Sequence, residues 1–374
     1  MVGCTQFAFE YASEDDPVAG PRTVPCLCFY PADNVGEGKR KPYVRPAILP
    51  GAGAIETNAF LFAPVADGTF PLLLFNHGYG LFCESNTVQF EELASHGYIV
   101  LSIGHGGGGS YELPDGRIMH FDIGRAMETP REFALKNMEI FPPYSAWLTR
   151  DGWKADMDEH RERYQSIIER QVQWVAQSTL WREDSLAALA MLESSDDTRV
   201  SLIRDHTDTL TIGAFGMSLG GAVSLGLARD SDRIMAAADL DGFYYHEDWE
   251  TPLAKPVLLL QDDSLLAGHL LIFPYLNAKG DVYLATVKGS GQGNFADFNE
   301  ILAENYIATA VIADQNVGQA MLGDIDPVRM GAILNQLLLD FFNKYLKGEE
   351  SRVLDRDDLP DEVDLRRKQG EETE

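Results

Sequence analysis

Positive charge is what this chain most lacks. Its 374 residues hold 30 Lys and Arg against 58 Asp and Glu, a formal charge of −28. A field of that sign repels phosphate, which excludes nucleic acid as a partner and broad electrostatic docking on an anionic membrane. Long hydrophobic runs are missing too: no stretch approaches the ~18 consecutive apolar residues of a membrane span. The segment Met1 to Pro17 has no basic stretch and no apolar core, so the chain as given opens without a secretory leader, and a soluble protein, with the cytoplasm favoured, is expected. Cysteine is scarce. Cys4, Cys26, Cys28 and Cys83 show no C-x-x-C spacing, and Cys26 and Cys28 would share one face of an extended stretch. That argues against a zinc site or a disulfide framework and for reduced thiols.

What is present is 45% apolar residues, enough for the core of one large domain or two small ones. Short Val, Ile and Leu-rich runs recur at Pro71 to Phe75, Tyr98 to Ile103, Leu210 to Phe215, Ile234 to Leu240, Pro256 to Leu260 and Val282 to Val287. Several are too continuous for a half-exposed strand, which points to burial on both faces. Helical patterns fall between them at Thr87 to Ser95, about His160 to Ser194, Ala222 to Ala228 and Asp326 to Leu346. Alternating strands and helices predict an α/β fold with a largely parallel sheet flanked by helices.

The stretch from Gly109 to Thr209 interrupts this rhythm with aromatic clusters and prolines. It reads as a cap-like insertion over the C-terminal edge of the sheet, where open α/β sheets place their sites. From Glu349 to Glu374 there are 11 acidic residues, 5 basic ones and no aromatics, the composition of a flexible, solvated tail. The expected organisation is therefore a domain over 1–348, with its insertion at about 109–209, and a tail over 349–374.

The run Leu210 to Phe215 leads into Gly216, Met217, Ser218, Leu219, Gly220 and Gly221, and a helical pattern opens at Ala222. This is G-x-S-x-G between a strand and a helix, the context of an exposed nucleophile on a strained turn. Upstream, Asn76, His77, Gly78, Tyr79 and Gly80 follow the run ending at Phe75. A loop there can aim a backbone N–H at a developing oxyanion, with a second N–H from Leu219. His77 reads as a structural residue of that loop.

The stretches "VGCT", "FYPADN", "FNHGYGLF", "ELASHGYIV", "GMSLGGAVSLGLA", "DLDGFYY", "KGSGQGNFADF" and "FFNKYLKG" are collinear over roughly residues 2 to 348. In them the sequence resembles the platelet-activating factor acetylhydrolase family, the plasma and intracellular type II α/β-hydrolase serine esterases. The resemblance implies an α/β-hydrolase fold and a cofactor-free, metal-free ester hydrolase that removes short or oxidised acyl chains from phospholipids. It implies Ser218 as nucleophile, Asp241 as the acid, and the backbone of Tyr79 and Leu219 as oxyanion donors. Asp239 is a rival acid by spacing, and Asp262 or Asp263 is another, after the next strand.

The base is where the chain departs from the family. Relatives carry His where this sequence has Gln292. An amide has no titratable nitrogen near neutral pH, so Gln292 can position a hydroxyl or water but cannot accept the Ser218 proton. His269 and His246 are candidate surrogates, since both follow strand ends. Two readings result: a serine esterase impaired at its base, or a non-catalytic lipid- or ester-binding protein that keeps the pocket.

Three weaker signals remain. Gly104 to Gly109 satisfies G-x-G-x-x-G, yet Pro114 and turn formers follow where a helix must begin, so a flexible rim loop is expected rather than a dinucleotide site. Met138, Ile140, Phe141, Tyr144 and Trp147, and separately Leu270 to Leu276, could line an acyl pocket or touch a lipid surface, against simple packing of the insertion. Asp151, Asp156, Asp158 and Glu159 read as a solvated helix start rather than a metal cluster.

Overall fold

The computed structural model describes the chain outside residues 15–19, 36–37, 50–51, 53–54, 122–129, 265–267, 304–321, 357–358 and 371–374; for 130–136 and 302–303 it describes the backbone alone. Among the described residues ten strands form one sheet. Its centre is six parallel strands in the order β5 (Ile99–Ile103), β4 (Phe70–Asn76), β8 (Thr207–Met217), β9 (Ile234–Leu240), β10 (Val257–Asp262) and β11 (Val282–Val287). Nearly every residue of β5, β9, β10 and β11 is buried, because helices cover both faces. At one margin β2 (Pro21–Pro31) pairs antiparallel with β5, and β1 (Val2–Ala12) with β2; the short β3 (Ala59–Leu61) closes that side.

One face buries α4 (Val172–Ser194), α6 (Leu219–Asp230) and α7 (Ile272–Asn277). The other carries α1 (Thr87–Ser95), α8 (Phe298–Ala303) and α9 (Pro327–Lys347), the last with Leu334, Leu337, Leu338, Phe341 and Phe342 in the core. Asp326 caps α9 by accepting the Arg329 N–H, and Gly348 ends it in the left-handed region at φ 67°.

The insertion departs from its expected form. The single helix expected over His160 to Ser194 is two, α3 (Met157–Arg170) and α4, broken at Gln171. α4 lies along the sheet against α6, β2 and β5, as a crossover helix between β5 and β8 rather than a cap. α2 (Pro130–Trp147), the π-turn Leu148–Gly152 and α3 sit over the strand ends, where Tyr164 stacks on Phe243 at 4.5 Å just beyond β9, and Trp174 near the start of α4 packs there on Tyr79 and Tyr245. Between β5 and α2 lies a two-stranded ribbon, β6 (Tyr111–Glu112) with β7 (Ile118–Met119). α5 (Thr198–Arg204) completes the segment.

The tail is also corrected. Val363–Lys368 is β12, antiparallel to β11 along its full length, and Val363 is buried. Before it, Asp340 on α9 accepts from Ser351 Oγ and from the N–H groups of Arg352, Val353 and Leu354. Acidic composition concealed a strand that needs only one apolar face, and a buried carboxylate that ties the chain down.

Candidate functional site

Chain order reverses across β4, whose neighbours β5 and β8 both follow it, and in open α/β sheets that reversal opens a crevice at the C-terminal strand ends. The loop after β4 and the turn after β8 meet there. Ser218 stands alone between β8 and α6 with φ 54° and ψ −118°, a strained conformation for a residue with a side chain. Gly216 and Gly220 allow it, because a Cβ on either would strike backbone: Gly220 in the first case, Asn76 in the second. Leu219 opens α6, and the first N–H groups of a helix have no intrahelical acceptor.

Tyr79 follows β4, and its loop is braced from below. Gly80 N–H donates to the Gly108 carbonyl at 2.8 Å, and the His77 ring lies 2.7 Å from the Gly78 carbonyl and 2.7 Å from the Tyr111 hydroxyl. Burial pushes the His77 pKa down to about 3. The ring is a structural part of the loop. The Tyr79 side chain packs edge-on against Trp174 and Phe121, with centroids at 4.7 and 5.3 Å.

Gln292 begins a short 3₁₀ turn, Gln292–Phe295, and its exposed side chain reaches the serine: Nε2 lies 3.4 Å from Ser218 Oγ and 3.4 Å from the Asp241 backbone oxygen. The loop is held on both sides of it. Asp263 accepts the Gly289 N–H, Asn294 accepts the Gly291 N–H, Asn86 donates to the Phe295 carbonyl, and Asp297 is bound by Tyr43.

Asp241 follows β9 at φ 58° and accepts the Asp262 N–H at 2.8 Å. Burial, then the nearby Asp262 charge, raises its pKa well above the ordinary carboxyl range; burial raises Asp262 likewise. Among the described residues no hydrogen bond joins the Asp241 carboxylate to Gln292. Asp239 accepts the Gly242 N–H beneath the elbow, where a Cβ at Gly221 would strike it, and burial raises its pKa too. Asp262 Oδ2 accepts from Ser264, while Oδ1 has no partner among the described residues.

The two candidate surrogate bases do not join Ser218 by any hydrogen bond among the described residues. His246 lies 2.9 Å from Asp230 and accepts the Asp248 N–H, at the far end of α6. That helix has 12 residues, roughly 18 Å. His269 packs near Gln261, and burial lowers its pKa. The ligand atoms of Asp230, His246 and Glu247 come within 4.8 Å of one another, but Arg182 and Arg229 pair with those carboxylates. The group is an ion-pair network.

The Gly104 to Gly109 loop is packed, not a flexible rim: His105, Gly108 and Gly109 are buried, and Gly108 lies against Trp181. Trp147 packs on Tyr144 and His160 with Arg163 over its ring at 4.4 Å and Phe141 packs on Phe243, so the insertion's aromatics are part of the core on this face of the sheet, although Met138 is exposed. Leu270 to Leu276 is buried in the same cluster, apart from the half-buried Leu276. Asp156 caps α3 by accepting the N–H groups of Asp158 and Glu159, as expected of a helix start. All four cysteines are buried free thiols. Among the described residues no helix is long and apolar enough to cross a membrane.

Sheet order, crossovers and the turn at Ser218 define the chain as an α/β-hydrolase. Within that class its sequence is similar to platelet-activating factor acetylhydrolases: 22% identical to the Gallus gallus protein over 284 residues, 74% of this chain and 62% of that one. The Cavia porcellus protein is 22% identical over 310 residues, 79% of this chain and 62% of its own. The chain thus spans about three-fifths of the length of the curated relatives it matches. Residues 53–103, which include the loop after β4, match the Chlorophyllase family model. A ferulic acid esterase from Streptomyces cinnamoneus shares the fold, with a TM-score of 0.71 over 97% of this chain and 96% of that one at 22% identity.

Proposed function

We propose that this chain is a serine-dependent carboxylic ester hydrolase of the platelet-activating factor acetylhydrolase type. Its substrates would be short or oxidised acyl esters of phospholipids, or similar small esters. Ser218 Oγ attacks the acyl carbonyl, the N–H groups of Tyr79 and Leu219 hold the oxyanion, and Asp241 is the acid that would orient a base. The observation that carries this reading is the backbone of Ser218, strained at φ 54° to lift its hydroxyl into the crevice beside the Tyr79 loop. A turn that merely linked β8 to α6 would need no such strain.

Turnover is slow in this reading, because Gln292 fills the base position and water must take the Ser218 proton. Residual catalysis then comes from the oxyanion hole and binding. Gln292 also supports a second reading, a non-catalytic ester- or lipid-binding protein. The experiment that separates them is hydrolysis of a short-chain aryl ester by this chain beside its Ser218→Ala variant. Turnover that the substitution abolishes supports the hydrolase; equal rates, with the ester still bound, support the binder.

A further inference from the structure

We propose that Asn76 is a positioning residue that sets the spacing between the two oxyanion donors, Tyr79 N–H and Leu219 N–H. This rests on the hydrolase reading above. Asn76 is the last residue of β4 and fully buried, and its side chain joins three elements. Nδ2 donates to Ser224 Oγ on α6 at 3.2 Å, Oδ1 accepts from Ser185 Oγ on α4 at 2.7 Å, and Oδ1 lies 3.2 Å from His105 Nε2. Its backbone oxygen fills the space a Cβ at Gly220 would need, so β4 and α6 touch at this residue.

The far side of the joint is rigid. His105 stacks on Trp181 at 4.0 Å with 9° between the planes, and its Nδ1 lies 3.0 Å from Asp184 Oδ2. Asp184 takes two hydrogen bonds from Arg22, at 2.8 and 2.6 Å, and one from the Tyr11 hydroxyl at 2.7 Å. The Tyr111 hydroxyl accepts the His105 N–H at 2.9 Å and contacts His77 in the Tyr79 loop. A buried network anchored on β1, β2 and α4 thus runs under the loop and reaches the nucleophile's helix through the Asn76 amide.

That placement has a chemical consequence. An oxyanion is fully stabilised when both donors reach the same oxygen at about 2.7–3.1 Å, and losing one costs about 10²–10³ in kcat. One donor belongs to the strand side of the joint and the other to α6. Loosening Asn76 lets the two drift apart, which weakens transition-state stabilisation and leaves ground-state binding alone.

The test compares Ser224→Ala, Asn76→Ala and Ser218→Ala with the parent. It reads kcat and KM on a short-chain aryl ester, the rate of fluorophosphonate labelling, and the melting temperature. Ser224→Ala removes one hydroxyl from a helix that tolerates alanine, so it carries the test if Asn76→Ala does not fold. Expected are a fall of about tenfold in kcat and labelling rate for Ser224→Ala, a larger fall for Asn76→Ala, and an unchanged KM in each. An unchanged kcat in folded Ser224→Ala and Asn76→Ala, or a raised KM alone, overturns the proposal while Ser218→Ala silence keeps the hydrolase reading. Full activity of Ser218→Ala overturns both.

Discussion

The Gln292 side chain donates toward Ser218 Oγ over 3.4 Å, with the same nitrogen 3.4 Å from the Asp241 carbonyl. A base at that place would accept from the hydroxyl; an amide nitrogen can only donate to it. That nitrogen therefore takes no proton from the serine. The loop has not drifted away from the elbow, since Asp263, Asn294, Asn86 and Asp297 hold it on either side of position 292.

A fluorophosphonate probe should label Ser218 and do so slowly, because the residue is half-buried on a strained turn and its hydroxyl has no base to activate it. Peptide mass mapping of the adduct checks this. Labelling elsewhere, with Ser218 unmodified after prolonged exposure, removes Ser218 from the nucleophile role.

Stability should vary with pH through Asp262. Burial raises its native pKa above the unfolded value of about 4, so its protonated form is favoured by folding and that contribution is complete below pH 4. It is lost as pH rises through the raised native pKa. Asp262→Asn should therefore match the parent near pH 4 and exceed it by on the order of 1–3 kcal/mol at pH 8 in denaturant melts. A gap that does not widen with pH would mean that Asp262 is ionised in the native protein at low cost.

Legibility in the sequence followed the range of the interactions. The runs Ile234–Leu240 and Val282–Val287 coincide with β9 and β11 because strands buried on both faces write themselves as continuous apolar residues. β1, β2 and β12 are antiparallel margin strands, and neither their mixed polarity nor the charges of Val363–Lys368 gave a comparable signal. The tight turn at Ser218 was readable because its motif is local. The Asn76, His105, Asp184 and Arg22 network was not, since it joins β4, the loop after β5, mid-α4 and β2, and only folding makes neighbours of them. In sequence His105 stood out only as part of a glycine-rich run.

Residues 351–354 and 363–368 are part of the folded domain, and Asp340 should prove it. Asp340→Ala leaves the N–H groups of Arg352, Val353 and Leu354 without their acceptor and should cost about 2–3 kcal/mol. Protease cleavage within 351–362 should rise in step with that loss. Wild-type stability and cleavage in the variant would show that the tail contributes nothing to the fold.

The most direct measurement on the central claim is kcat of Gln292→His on a short-chain aryl ester. If position 292 is the base position of a serine hydrolase, an imidazole there should raise kcat by ~10²-fold or more, with a rate that climbs through a pKa near neutrality. Adding Asp241→Asn should remove most of the gain, because the tautomer is no longer fixed. A folded Gln292→His protein with the parent's rate at every pH would contradict the assignment of Ser218, Asp241 and position 292 to one catalytic unit.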